Sequence, residues 1–263
     1  MSWALVAGGS KGIGFSIAEA LAKRKYNLLL VARNHDDLSD AKKILEKNFN
    51  IEVETLPCDL SLSESVTKIS NWCTAKGFKI NILCNVAGSG GSKDFPELPL
   101  NDLKTLISVN LESTLTLSLA LIPQLKINAP SYILNVGSLA GFAPIPIKNV
   151  YSSVKSAIHS FSYSLRYILK PDKISVSCLC PGPVFTKPSI EKETIDQMGW
   201  LGKLMAIEPG LVGELAVRGM LGHKMIIVPG KMATLISYVL RLFPGQFIAY
   251  IIYYFRKQNK IRK

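Results

Sequence analysis

Tyr151 and Lys155 stand four residues apart in Tyr151-Ser152-Ser153-Val154-Lys155, and Ser138 lies thirteen positions upstream. On a helix, residues i and i+4 share a face, so the phenol and the ammonium would point at one spot. A nearby cation favours the phenolate and lowers the pKa of a tyrosine that otherwise titrates near ~10. A phenol tuned that way can give or take a proton near neutral pH. A tyrosine four before a lysine is also common on solvated helix faces, so the pair gains its meaning from a second feature. That feature is the loop Gly8-Gly9-Ser10-Lys11-Gly12-Ile13-Gly14. It follows the apolar run Trp3-Ala4-Leu5-Val6-Ala7 and precedes Phe15, Ile17, Ala18, Leu21 and Ala22 at helical spacing. Strand, glycine turn and helix form the setting of a dinucleotide-binding fingerprint. Glycines let the backbone approach a pyrophosphate, and the helix N-terminus offers it free N–H groups and a positive dipole end.

The elements that must position these residues follow from periodicity. Apolar strand-type runs occur near residues 3–7, 28–32, 51–57, 80–86, 131–137, 173–180 and 224–228. Helical patterns lie between them, as at 35–48, 63–76, 102–126 and 150–169. Such alternation predicts an α/β fold, a Rossmann-type doubly wound parallel sheet of about seven strands with helices on both faces. Ligands of these sheets lie beyond the carboxyl ends of the strands. Gly8, Asp59, Asn85, Ser138 and Pro181 all follow predicted strands, so one crevice would collect them. The 263 residues and 48% hydrophobic content fit one domain with a full core. The start of the chain lacks the pattern of a secretory signal. Five cysteines lack C-x-x-C spacing, and the four in or beside predicted strands read as buried thiols of a reducing compartment. His35, His159 and His223 form no ligand-like spacing, so no catalytic metal is expected.

The glycine spacing Gly8-x-x-x-Gly12-x-Gly14 resembles that of the short-chain dehydrogenase/reductase family. Further matches come in the family's order: Asp59, Asn85-Val86-Ala87-Gly88, Asn110, then Ser138, Tyr151 and Lys155, then Pro181-Gly182-Pro183-Val184-Phe185-Thr186. Val86 stands where the family usually has a second Asn. The resemblance covers roughly residues 3–230 and implies a catalytic set of Asn110, Ser138, Tyr151 and Lys155. It implies a cofactor set of Gly8, Ser10, Lys11, Gly12, Ile13, Gly14, Arg33, Asp59, Leu60, Asn85, Ala87 and Gly88, with Tyr151, Lys155, Pro181, Gly182, Val184 and Thr186. Asp59 would accept a hydrogen bond from the adenine amino group, Lys155 would also bind the nicotinamide ribose, and Asn110 would hold a water that relays protons to Lys155. The bland readings are a helix N-cap for Ser138 and a satisfied buried amide for Asn110.

The second predicted strand, Leu28-Leu29-Leu30-Val31-Ala32, ends without the carboxylate that commonly binds an NAD ribose. Arg33 follows it and Lys11 lies in the glycine loop, so two cations suit a 2′-phosphate and NADP(H) is expected. Hydride transfer would belong to the nicotinamide, with Tyr151 as acid or base and Ser138 donating to the substrate oxygen. Met198, Trp200 and Leu201 are apolar candidates to line the substrate pocket. The helix at 102–126 is apolar nearly all round, which suits core or a subunit interface. In the family the matching helix and the next one build a dimer interface, so a homodimer or homotetramer is expected.

The sequence divides into a catalytic domain, 1–230, and an extension, 231–263. Met232, Leu235, Ile236, Val239, Leu240 and Phe243 fall on one helical face, Pro244-Gly245 breaks the pattern, and the apolar run Phe247–Phe255 precedes a basic end. Nine residues span only about 14 Å at 1.5 Å each, short of a bilayer core, so a full span is rejected. The extension would either pack over the substrate site or a partner subunit, or lie on an anionic membrane surface. From residue 201 onward, ten Lys/Arg against two Asp/Glu put +8 of the net +12 in the last quarter of the chain. The expected activity is NADPH-dependent reduction of a ketone or 3-oxoacyl group, on a hydrophobic or lipid-like substrate, in the cytoplasm or at the cytoplasmic face of a membrane. Alternatives are a soluble 3-oxoacyl-carrier-protein reductase and a cofactor-sensing pseudoenzyme or interaction protein. The positive charge also raises nucleic-acid binding, but no nucleic-acid module is recognised and none is expected as a partner.

Overall fold

Seven strands form one parallel sheet in the order β3-β2-β1-β4-β5-β6-β7. They are β1 (Trp3–Ala7), β2 (Asn27–Ala32), β3 (Val53–Pro57), β4 (Ile80–Asn85), β5 (Ser131–Val136), β6 (Ile174–Leu179) and β7 (Ile226–Ile227). The computed structural model describes residues 2–90, 95–186, 190–192, 194–195, 202 and 204–261. The doubly wound arrangement expected from the alternation is present, and strand order reverses between β1 and β4.

Alternation along the strands feeds two cores. Ala4, Val6, Leu28 and Leu30 face one side, where α1 (Gly12–Ala22), α2 (His35–Phe49) and the Pro209–Leu221 helix cover them. Leu5, Ala7, Leu29 and Val31 face the other, under α3 (Ser65–Ala75), α5 (Ser113–Ile127) and α6 (Asn149–Leu169). Each fully buried leucine contributes about 1.5–3 kcal/mol of transfer free energy, and both faces of β1 and β2 are covered.

The helix predicted at 102–126 differs in one respect. It is split by a π turn, Ser108–Glu112, between α4 (Leu100–Ile107) and α5. Leu100–Ile127 as a whole is long and apolar enough to cross a membrane, yet Leu106, Leu117, Leu121 and Leu125 are buried in the protein. The helix Lys231–Leu242 packs Met232, Ala233 and Ile236 against Leu139 and Phe142. It meets the helix Gly245–Ile261 at a sharp bend near Pro244.

Candidate active site

The crevice at the strand-order reversal begins with the glycine turn. Gly8 has φ +91° and Gly12 φ +56°, a region that side chains disfavour. A β-carbon on Gly8 would sit 2.7 Å from the Ala87 nitrogen, and one on Gly14 would overlap the Gly8 carbonyl oxygen. Lys11 precedes α1 in extended backbone with no side-chain cap, so the first-turn N–H groups stay free for an anion. Thr186 closes over the turn, its methyl 3.1 Å from where a Gly12 β-carbon would be. Ser10 is half-buried at the turn, and Ile13 packs on the first core.

Two of the expected cofactor residues have further surroundings in the structure. Lys11 Nζ lies 2.7 Å from Asp37 Oδ1. Asp37 is held there as Asn34 Oδ1 accepts its N–H at 2.8 Å in the first turn of α2. Leu60 has its side chain buried in the second core, which leaves only backbone for a ligand. Arg33 is exposed at the end of β2. Burial pushes the Asp59 carboxyl up, but bonds from Ser61 N (2.9 Å) and Ser61 Oγ (2.8 Å), with the Arg33 charge, carry it below the usual range.

Ser138, Tyr151, Lys155 and Asn110 converge. Ser138 leaves β5 in extended backbone and caps a short 3₁₀ turn, its Oγ accepting from Ala140 N at 3.1 Å. The capping reading is therefore present, and the single hydroxyl proton remains to donate, here toward the Tyr151 phenol. Lys155 is buried, and its Nζ donates to Val136 O at 2.9 Å while lying 5.6 Å from the Tyr151 ring centroid. The expected depression of the Tyr151 pKa is not found. Burial raises the phenol, opposed by a hydrogen bond from Ser138, and the same burial lowers Lys155 to about 8. Desolvation sets the direction for the phenol, and the ammonium, 5.6 Å from the ring centroid, does not reverse it.

Asn110 lies on the π turn. Its Nδ2 donates to Leu106 O (2.9 Å) and Ser89 O (3.0 Å), while its buried Oδ1 has no partner among the described residues. The amide is thus half satisfied. Gly88 lies between Asn110 and Lys155. Asn85 lies deeper, its Nδ2 donating to Asn135 Oδ1 (2.9 Å) and Ser118 Oγ (3.1 Å), and Asn135 Nδ2 donates to Ser162 Oγ (3.0 Å). This ladder ties β4 and β5 to the helices that carry the site. Pro181 O accepts from Leu139 N at 3.0 Å, Gly182 abuts Leu139, and Val184 bridges to Ile207.

Residues 2–196 match the family described as short chain dehydrogenase. The chain belongs to that family. Very-long-chain 3-oxoacyl-CoA reductases from Danio rerio and Rattus norvegicus are each 34% identical over 202 residues, covering 74% of this chain and 62% and 64% of theirs. The chain thus spans less than two thirds of the length of these relatives. An uncharacterized oxidoreductase of Staphylococcus saprophyticus is 30% identical over 81% of this chain and 88% of its own. A short-chain dehydrogenase from Sphingobium yanoikuyae, in complex with NADPH, superposes with a TM-score of 0.78 at 25% identity, covering 88% of this chain and 89% of that one. A 7β-hydroxysteroid dehydrogenase shares the fold with a TM-score of 0.84 at 16% identity, over 95% and 96% of the two chains.

In this short-chain dehydrogenase, sequence spacing missed a cluster behind Ser138. His159 Nε2 lies 3.2 Å from Cys180 Sγ and 3.5 Å from Ser138 N, and Cys180 Sγ lies 3.7 Å from Cys178 Sγ. These three ligand-type atoms fall within 4.8 Å of one another, so histidines dispersed in sequence do not exclude a grouping in space. Both neighbours of Nε2 can donate, which favours the tautomer with the proton on Nδ1. Burial, with Lys155 and Arg241 nearby, lowers His159 to about 4 and keeps it neutral. β-carbons on Gly137 and Gly141 would both strike the imidazole, at 2.5 and 2.7 Å. Those paired glycines were the available signal for a large side chain beneath the turn. Met198, Trp200 and Leu201 lie outside the described residues.

Proposed function

We propose that the chain is an NADPH-dependent reductase of a hydrophobic, lipid-like keto compound, with residues 1–230 forming the cofactor and catalytic domain and 231–263 an extension. The observation that carries the reading is the convergence of Tyr151, Lys155 and Ser138 beside a glycine turn that no side chain could replace. The cradle at Gly8, Gly12 and Gly14, the open N–H groups of α1 and the Arg33 charge fit a phosphorylated dinucleotide. When bound, NADPH supplies the hydride. Tyr151 delivers a proton to the carbonyl oxygen as charge develops there. Ser138 donates a second hydrogen bond to that oxygen, its lone pair already engaged by Ala140 N. The Lys155 ammonium is the next group from which the Tyr151 proton can be restored, and Asn110 Oδ1, an acceptor, can hold a water on that route.

The 34% identity to 3-oxoacyl-CoA reductases supports an acyl-type ketone. Leu119 and Ile127 on α5, with Tyr167 and Ile168 on α6, are exposed, which supports a homodimer or homotetramer through these helices. Light scattering of the purified protein tests it, and a monomer at micromolar concentration would refute it. The extension is taken to serve the substrate end, as cover or as contact with the cytoplasmic face of a membrane. NADPH oxidation against ketones graded by chain length, with acyl-carrier forms included, tests the substrate reading. Rates that do not rise with apolar chain length would overturn it.

A further inference from the structure

The helices Lys231–Leu242 and Gly245–Ile261 use their two faces differently. The inner face of the first packs on Leu139 and Phe142, next to Ser138. Its outer face carries Leu235, Tyr238, Val239 and Leu242, all exposed and at helical spacing. On the second helix, Phe247, Tyr250, Tyr253 and Tyr254 are exposed in the same manner, while Ile248 is buried. Of 21 exposed large apolar side chains among the described residues, nine fall within 235–254. A concentration of that kind marks an interaction surface.

Three observations choose the occupant. The two helices meet at a bend of 118°, and at 1.5 Å per residue their 12 and 17 residues span only about 18 and 26 Å, so neither alone crosses a bilayer core of ~30 Å. Tyrosine and phenylalanine dominate the second helix, and these side chains suit the boundary between headgroups and acyl chains. Residues 231–263 contain seven Lys/Arg and no Asp/Glu. A two-fold pairing of this face with a second copy would oppose two such segments, whereas an anionic surface neutralises them. Arg241, which would obstruct a span, is exposed, its guanidinium 4.5 Å from the Phe142 ring centroid and 5.2 Å from that of Tyr238.

We propose that this helix pair is a docking surface for an anionic lipid bilayer, lying in the interface plane and holding the Ser138 end of the crevice against the lipid. The claim rests on the reductase reading for its use, and on the exposed face and its charge for its existence.

The test is flotation of the full chain with phosphatidylcholine vesicles, with and without phosphatidylglycerol, at low and high salt. Binding is expected with the anionic vesicles, falling by about fivefold for each cation removed in the series Arg256→Gln, Lys257→Gln and Lys260→Gln. The pair Leu242→Ser/Tyr250→Ser should abolish flotation while turnover of a small water-soluble ketone persists. Equal soluble recovery of wild type and this pair would overturn the proposal. So would equal binding to neutral vesicles, or a dimer in solution that the pair dissociates. Flotation needs no turnover, so a chain that binds vesicles but reduces no ketone refutes the reductase reading alone.

Discussion

Asn110 Oδ1 and the Lys155 ammonium face a common slot at Gly88: a β-carbon there would sit 2.7 Å from the first and 3.8 Å from the second. Only a hydrogen fits that position without moving one of them. The amide oxygen is buried and has no partner among the described residues, so the slot holds an acceptor open to a bound water or ligand group. Gly88→Ala is expected to push Asn110 away and lower kcat by ~10²-fold, the usual cost of an ångström-scale misplacement. Steady-state kinetics check this, and wild-type kcat in the variant would separate the slot from the chemistry.

Tyr151→Phe removes the proton donor and keeps the ring. Turnover should fall by ~10²–10⁴-fold, the usual contribution of a positioned acid. NADPH binding, followed by nucleotide fluorescence, should be unchanged. Substantial turnover in the variant would end the assignment of Tyr151 as the acid.

Burial lowers His159 from 6.5 to about 4. Between these values the unfolded chain binds the proton and the folded chain does not. Stability attributable to this residue therefore rises with pH from about 4 to 6.5, by up to ~3 kcal/mol, and is flat above. His159→Gln should show a shallower acid limb in urea midpoints measured from pH 4.5 to 7. Identical limbs in both proteins would contradict the burial argument.

The sheet was legible because β1, β2 and β4–β6 are near-continuous apolar runs bounded by turns, and parallel strands covered on both faces read that way. The glycine turn was legible because only glycine tolerates its φ values and close approaches. The π turn at Ser108–Glu112 was not, since it inserts no breaker into an apolar helical pattern. The Lys11–Asp37 pair was missed because it joins two helix N-termini that adjoin only when β1 and β2 lie side by side. The Tyr151–Lys155 spacing correctly implied proximity but not pKa. Burial, which spacing does not reveal, sets the direction for both groups.

The Asn85–Asn135–Ser162 ladder is buried throughout. Asn135→Leu would leave Asn85 Nδ2 and Ser162 Oγ each short of a partner in a dry interior, at about 1–3 kcal/mol per group. Urea unfolding should report the loss. Ser162→Ala removes one acceptor from Asn135 Nδ2 and should cost less. Equal costs would mean that the ladder does not act through Asn85.

Cofactor preference should turn on three side chains at the ends of β1 and β2. Arg33 is exposed and free to meet a 2′-phosphate, while Lys11 is tied to Asp37 at 2.7 Å. A hydrogen bond between charged partners contributes about 1.5–3 kcal/mol, so Arg33→Ala should weaken NADPH by roughly 10–100-fold and leave NADH nearly unchanged. Asp37 acts in the opposite sense, since its carboxylate holds the second cation and repels a phosphate. Asp37→Asn keeps the side-chain volume, frees Lys11 and should tighten NADPH by a few-fold, with a steeper dependence on salt. Isothermal titration with both nucleotides measures all three effects. If Asp37→Asn weakens NADPH instead, the ion pair orients Lys11 toward the phosphate rather than withholding it, and the carboxylate becomes part of the cofactor site.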